Sequence, residues 1–296
     1  MKNIIFKSCI VVFLFCNTIP HTIYAQSYDI NHHLYYHSSK NSAINDQLNE
    51  QKFYINTEYW KRYISDTKNI FLSPFQWNSK DFITASVIIG TTVGLYAYDT
   101  KIKNWIQGHR NDWSDKIAKY VKPFGNGRYT IPSLGLLYIY GHFFDDWKSR
   151  KVALLSIESF VITHCFVQTL KFSGHRHRPT TGDPYNTWNG PSFSNHNLSF
   201  PSGHASSAFA IATVIASEYD DIMVIPPLAY GIATLTALSR VNDNDHWTSD
   251  IFLGSAIGYF TAKAIVGFHS KKENNKLTIQ PVIHSKQTAL LISYKF

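Results

Sequence analysis

Apolar residues gather into long runs only after Asp81. They recur at helical spacing over about 82–98, 101–121, 131–145, 151–170, 204–217, 222–239 and 248–268. Pro123, Pro132, Gly174, Pro179, Pro201 and the pair Pro226-Pro227 punctuate or bend these runs. Their length, and their content of Ala, Leu and Ile, suits helices and argues against strands. The pattern predicts an all-α fold: a helical bundle with about six core helices over residues 81–270.

The flanks read differently. Met1 to Ala25 has Lys2 and Lys7, a short apolar run from Ser8 to Cys16, and a small residue before Gln26. That is the pattern of a cleaved signal peptide, and the apolar run is short for a membrane anchor. Phe15 is too bulky for the small residue expected before a lipid-modified Cys16. Residues 26–80 are polar and form an N-terminal arm, with a short helix near Thr57–Ile64 and closing contacts through Phe71, Pro74 and Trp77. His32, His33 and His37 within it lack the partner pattern of a metal tract. In the tail, residues 271–296, two alternating runs, Leu277–Ile283 and Thr288–Phe296, flank His284 to Gln287 and predict a short β-hairpin.

Composition narrows the class. The chain is 44% hydrophobic and 15% aromatic, enough for a core, and 296 residues suit one catalytic domain with decorations. The net charge is +8, yet no basic helix or interleaving of basic and aromatic residues supports nucleic-acid binding. A cationic pocket for phosphate and attraction to an anionic membrane surface account for the sign. Beyond Ala25 the one cysteine is Cys165, so no internal disulfide holds the exported chain together.

Three stretches carry candidate chemistry. Lys171 to Pro179 places Lys171 and Arg178 on a glycine-containing loop after an apolar run. Pro201-Ser202-Gly203-His204 opens a helix, where proline suits the first turn and the N–H groups of Ser202 and Gly203 attract an anion. In Ser239 to Asp250, His246 and Asp250 stand one helical turn apart, and Arg240 lies upstream as a planar fork of donors. A carboxylate so placed can fix the imidazole tautomer and leave Nε2 free to attack an electrophile. Each stretch alone also reads as a polar loop or a capped helix end.

Together they resemble the superfamily of type 2 phosphatidic acid phosphatases, bacterial non-specific acid phosphatases and vanadium haloperoxidases. That family's motifs are Lys, six residues, Arg-Pro; Pro-Ser-Gly-His; and Ser-Arg, five residues, His, three residues, Asp. Lys171, Arg178 and Pro179, then Pro201 to His204, then Ser239, Arg240, His246 and Asp250 fill them without departure. The resemblance covers about 82–268. It implies a phosphatase acting through a phosphohistidine on His246, with Asp250 orienting that ring and His204 as general acid, then base. It also implies phosphate binding by Lys171, Arg178, Arg240 and the N–H groups of Ser202 and Gly203, with no metal or other cofactor. His175 and His177 fall outside the motifs and read as supporting or surface residues. The loop 180–200, with Trp188 and Phe193, is either a cover for the pocket or a connector.

The implied substrate is a phosphorylated lipid or a small phosphoester. A vanadate-dependent haloperoxidase and a non-catalytic envelope protein remain alternatives from other classes. Several runs reach only the lower length of a membrane span, mean hydropathy is −0.17, and Glu158, His164 and Gln168 interrupt the fourth helix. With a cleaved signal and six spanning helices, the first motif would also face the cytoplasm, the reverse of related membrane phosphatases. The expectation is therefore an exported, globular bundle in the periplasm or cell envelope, able to lie on a membrane surface.

Overall fold

The computed structural model describes residues 53–270, 277–284 and 287–294. The proposed signal peptide and most of the N-terminal arm lie outside them. The fold class is all-α, as expected, but the helices number eight among the described residues rather than about six. They are α1 (Thr57–Leu72), α2 (Ser79–Gly108), α3 (Asp112–Val121), α4 (Gly127–Phe143), α5 (Trp147–Gly174), α6 (Gly203–Glu218), α7 (Ile225–Asn242) and α8 (Thr248–Ser270). Beyond them, Leu277–His284 pairs antiparallel with Gln287–Tyr294 as a two-stranded ribbon, from Leu277 opposite Tyr294 to His284 opposite Gln287.

Local chemistry sets the helix ends. Asn78 caps α2 and Asn111 caps α3, each in a reciprocal box with the third helical residue, Asp81 and Ser114. Asp146 caps α5 by accepting from the N–H groups of Lys148 and Ser149. The break expected near Asp99 is absent, because nothing there stops a helix. α2 runs on to Gly108, and the Asn111 box starts the next helix. α1 also extends two turns beyond the short helix expected near Thr57–Ile64.

α6 is the centre. It packs on α5, α7 and α8, and its buried residues run nearly all round it: Ala205, Ser206, Ser207, Ala208, Phe209, Ala210, Ala212, Thr213, Val214 and Ala216. Small side chains let the backbones approach closely. A Cβ on Gly254 of α8 would fall 2.5 Å from the Ser202 carbonyl oxygen, and one on Gly258 would fall 2.1 Å from that of Ser206. This contact holds the first turn of α6 against the first turns of α8.

The bundle carries apolar surface of span length. α2, α5 and α8 are each long and apolar enough to cross a membrane. Only 6% of the apolar stretch of α2 is buried within the protein, and Phe82, Ile83, Val87, Ile89 and Val93 are exposed. The polar residues that argued against α5 as a span do not face outward as a group: Glu158 is buried, and His164 and Gln168 line a cavity.

Candidate active site

The C-terminal turn of α5, the N-terminus of α6 and the turn leading into α8 meet around a cavity of about 250 Å³. Lys171, Arg178, Gly203, His204 and His246 line it, so five of the eight residues singled out from sequence share one space. Gly125, Asn126, Gly127, Phe160, His164, Gln168 and Ser207 complete the wall. Its charged groups are cations and its ring nitrogens are neutral donors or acceptors. Such a lining fits an anion and would repel a metal cation.

Each lining residue is held from its own element. α5 ends where His175 turns left-handed at φ 46°, its N–H closing on the Lys171 carbonyl. That stop leaves Lys171 in the last turn, with its ammonium donating to the Leu198 carbonyl. Arg178 follows on extended backbone and donates to the Asp245 carbonyl at 3.3 Å. Gly203 and His204 occupy the first turn of α6, where N–H groups have no helical partner and the dipole favours an anion. His204 Nε2 is buried and has no hydrogen-bond partner. Gly125 packs against it so closely that a Cβ there would stand 2.5 Å from the His204 carbonyl oxygen.

Three predicted residues stand behind the cavity rather than in its wall. The Ser202 N–H is taken by the Asp250 carbonyl at 2.9 Å, so it is not offered to an anion as expected. Ser202 instead caps α6, accepting from the Ala205 N–H through its hydroxyl at 3.5 Å. Arg240 is 3% exposed at its side chain and is ion-paired with Asp243 at 2.9 Å and with Asp245. Its charge is thus largely balanced before any ligand arrives. Asp250 is fully buried, with its Oδ2 3.6 Å from His246 Nδ1. That distance is an ion-pair separation and too long for a hydrogen bond.

The link between the two is a residue that the sequence did not single out. The Ser199 hydroxyl donates to Asp250 Oδ2 at 2.5 Å and stands 3.5 Å from His246 Nδ1. The Trp247 N–H also donates to Oδ2, at 2.9 Å. On the far side, Arg176 Nη1 donates to Asp250 Oδ1 at 2.6 Å and to the Ser249 hydroxyl at 2.8 Å. Arg176 Nη2 donates to Asp99 Oδ2 at 2.7 Å and to the Tyr185 carbonyl at 2.9 Å, and Nε donates to that same carbonyl at 3.1 Å. All five guanidinium N–H groups are therefore used. The rings of Tyr96, Trp188 and Trp247 enclose the cation at 4.6, 5.4 and 5.4 Å. Asp99 ties this assembly to α2, accepting also from the Ser249 N–H at 2.9 Å.

Burial, followed by the neighbouring cations Arg240, Lys122, Arg178 and Lys171, pushes the His204 imidazole down to about 4. Burial likewise pushes His246 down to about 3, with Asp250 opposing it. Both rings are thus neutral at neutral pH in the unliganded cavity. A neutral His246 keeps a lone pair for attack.

His175 and His177 are drawn away from the cavity. His175 Nε2 is 2.9 Å from the Ser194 carbonyl, and His177 Nδ1 is 2.7 Å from Asp183. Of the loop 180–200, Trp188 packs on Phe200 and donates to the Tyr96 hydroxyl, while Phe193 is exposed. The loop's contribution is to brace Arg176 and to supply Ser199.

Residues 152–274 match the family model of the PAP2 superfamily. A lipid A 1-phosphatase from Porphyromonas gingivalis is 43% identical over 61 residues, which are 20% of this chain and 14% of that protein. A PA-phosphatase related-family protein from Dictyostelium discoideum is 33% identical over 119 residues, 36% of this chain and 44% of that one. The chain thus spans less than half the length of either curated relative. Among solved structures, a transmembrane PAP2-type phosphatidylglycerolphosphate phosphatase from Bacillus subtilis superposes with a TM-score of 0.51. It is 20% identical and covers 64% of this chain and 98% of its own, a likeness of fold.

Proposed function

We propose that this chain, with its PAP2-superfamily domain over residues 152–274, is a membrane-embedded phosphatase that releases phosphate from a phosphorylated lipid. The observation that carries the reading is the shared cavity: Lys171, Arg178, the α6 N-terminus, His204 and His246 face one space, and Asp250 stands behind His246.

In this mechanism the phosphoryl group sits among Lys171, Arg178 and the N–H groups of Gly203 and His204, which neutralise its equatorial oxygens. His246 Nε2 attacks phosphorus and forms the P–N bond as the bond to the leaving alkoxide breaks. His204, protonated once the phosphate dianion offsets the cations around it, gives its proton to that alkoxide. Imidazolium charge on His246 is balanced by Asp250, which Ser199, Trp247 and Arg176 hold in place. Water then gives a proton to His204 and attacks phosphorus, the P–N bond breaks, and His246 returns as free imidazole with inorganic phosphate released. Arg240 acts from behind, fixing Asp243 and Asp245 and, through Asp245, Arg178.

The lipid half of the reading rests on the exposed apolar face of α2 and on α5 and α8, whose ends carry Lys171 and Asp250 to the same side. Embedding these helices brings the cavity to a membrane surface, where a phosphorylated headgroup lies. We propose the outer face of an exported protein, in the envelope or periplasm.

The test is phosphate release by purified full chain in detergent from lipid A 1-phosphate, phosphatidic acid, undecaprenyl pyrophosphate, a nucleotide and p-nitrophenyl phosphate, each with and without EDTA. The lipids are expected to exceed the nucleotide in kcat/KM, with activity retained in EDTA and abolished by vanadate. Nucleotide preference overturns the lipid assignment, and loss on chelation while the chain stays folded, restored by a divalent ion, overturns the metal-free chemistry.

A further inference from the structure

Three ligand-type side chains from three helices converge far from the phosphate end of the cavity. Asp66 comes from α1, Glu158 from α5 and His269 from α8. At roughly 1.5 Å per residue, Glu158 lies about 20 Å from Lys171 along α5, and His269 about 28 Å from Asp250 along α8. None of the three lines the cavity. Their side chains are 10%, 1% and 9% exposed, in the order Asp66, Glu158, His269.

The ligating atoms all lie within 4.8 Å of one another. His269 Nε2 stands 2.9 Å from Asp66 Oδ2 and 3.9 Å from Glu158 Oε2. Yet Asp66 Oδ2, both Glu158 oxygens and His269 Nε2 are all buried without a hydrogen-bond partner. Four such atoms in one place are costly unless something else satisfies them. A nitrogen 2.9 Å from an oxygen but outside hydrogen-bond geometry is not aimed at that oxygen. Side chains that meet so closely without aiming at each other suit a common third partner. Arg62 is near enough to act on the Glu158 charge.

We propose that Asp66, Glu158 and His269 bind one divalent transition-metal cation, which fastens α1 to the bundle. One imidazole with carboxylate oxygens suits Zn²⁺ or Mn²⁺. The three residues supply three ligand atoms, the number a zinc site with one open position uses. α1 otherwise docks by burying Tyr59 and Ile70 and by stacking Phe71 on Phe166 at 4.5 Å. The site is independent of the phosphatase reading, since it touches none of the residues assigned to that chemistry.

The full chain, purified in detergent, is stripped with chelator, re-equilibrated with Zn²⁺ or Mn²⁺, gel-filtered and assayed for bound metal and thermal midpoint. The wild type is expected to retain about one equivalent of one of these ions. Its midpoint is expected to rise by several degrees on loading, as binding to the folded state alone requires. Glu158→Gln and His269→Gln are each expected to lose the equivalent and the shift. Asp66→Asn, on the outermost helix, gives the same reading where a buried variant fails to fold. A wild type that keeps neither ion overturns the site, and so does an equivalent that survives Asp66→Asn or Glu158→Gln.

Discussion

At the scale of single residues, His204 gives the most direct pH consequence. Burial and four cations hold it down to about 4 in the free protein. A phosphate dianion in the cavity offsets those cations and raises it. The alkaline limb, where His204 loses the proton needed for the leaving group, is therefore expected at higher pH in kcat than in kcat/KM. Coincident limbs, with chemistry rate-limiting, would contradict the assignment. His204→Ala is expected to slow a poor leaving group more than p-nitrophenolate, and equal losses would remove it as the acid. Arg176 offers a second test. Removing it as Arg176→Met leaves Asp99 and Asp250 buried without their cation, at a cost of about 3–5 kcal/mol. Arg176→Lys keeps the charge but not the five hydrogen bonds. It is expected to fold, with kcat reduced and KM little changed, because Asp250 is no longer held; an unchanged kcat would make Arg176 structural only. Neither Arg176 nor Ser199 was legible as functional. Ser199 lies in a polar loop, and its role depends on a 2.5 Å approach across the fold to Asp250 that no local spacing encodes. Asp99 did leave a signal, as an ionisable residue within an apolar stretch, but it fell in the gap between two expected helices and was not singled out.

At the scale of elements, the α6–α8 contact is the joint on which the cavity depends. Gly254→Ala places a methyl group 2.5 Å from the Ser202 carbonyl, and the backbone there cannot yield cheaply. The substitution is expected to destabilise by about 1–3 kcal/mol, as overpacking does, and to lower activity by shifting the α6 N-terminus. Gly90→Ala in α2 meets nothing within 4 Å and is expected to leave the thermal midpoint unchanged or raised. If both variants melt alike, the close approach is not what orders the site. The helices themselves were largely legible, since apolar runs and caps are local features. Which face of α6 met α8 was not, because a helix built of Ala and Ser all round has no distinct apolar stripe. Likewise Ser202 read as an anion donor, while a long-range bond to Asp250 takes its N–H.

At the scale of the whole molecule, mean hydropathy hides local apolar stretches. The value of −0.17 averages polar flanks with three span-length helices. Glu158 is buried, and His164 and Gln168 line the cavity, which weakens the objection to α5 as a span. The full chain in native membranes is expected to resist carbonate and to need detergent for release; carbonate extraction would return it to the membrane surface. The central claim remains chemical: His246 takes the phosphoryl group. Rapid acid-free quenching of the full chain with ³²P-labelled substrate tests it most directly. The account predicts a protein-bound phosphoryl group, stable to base and labile to acid, mapped to His246 and absent from His246→Ala. Steady turnover in the His246→Ala protein, or label carried on any other residue, would contradict it.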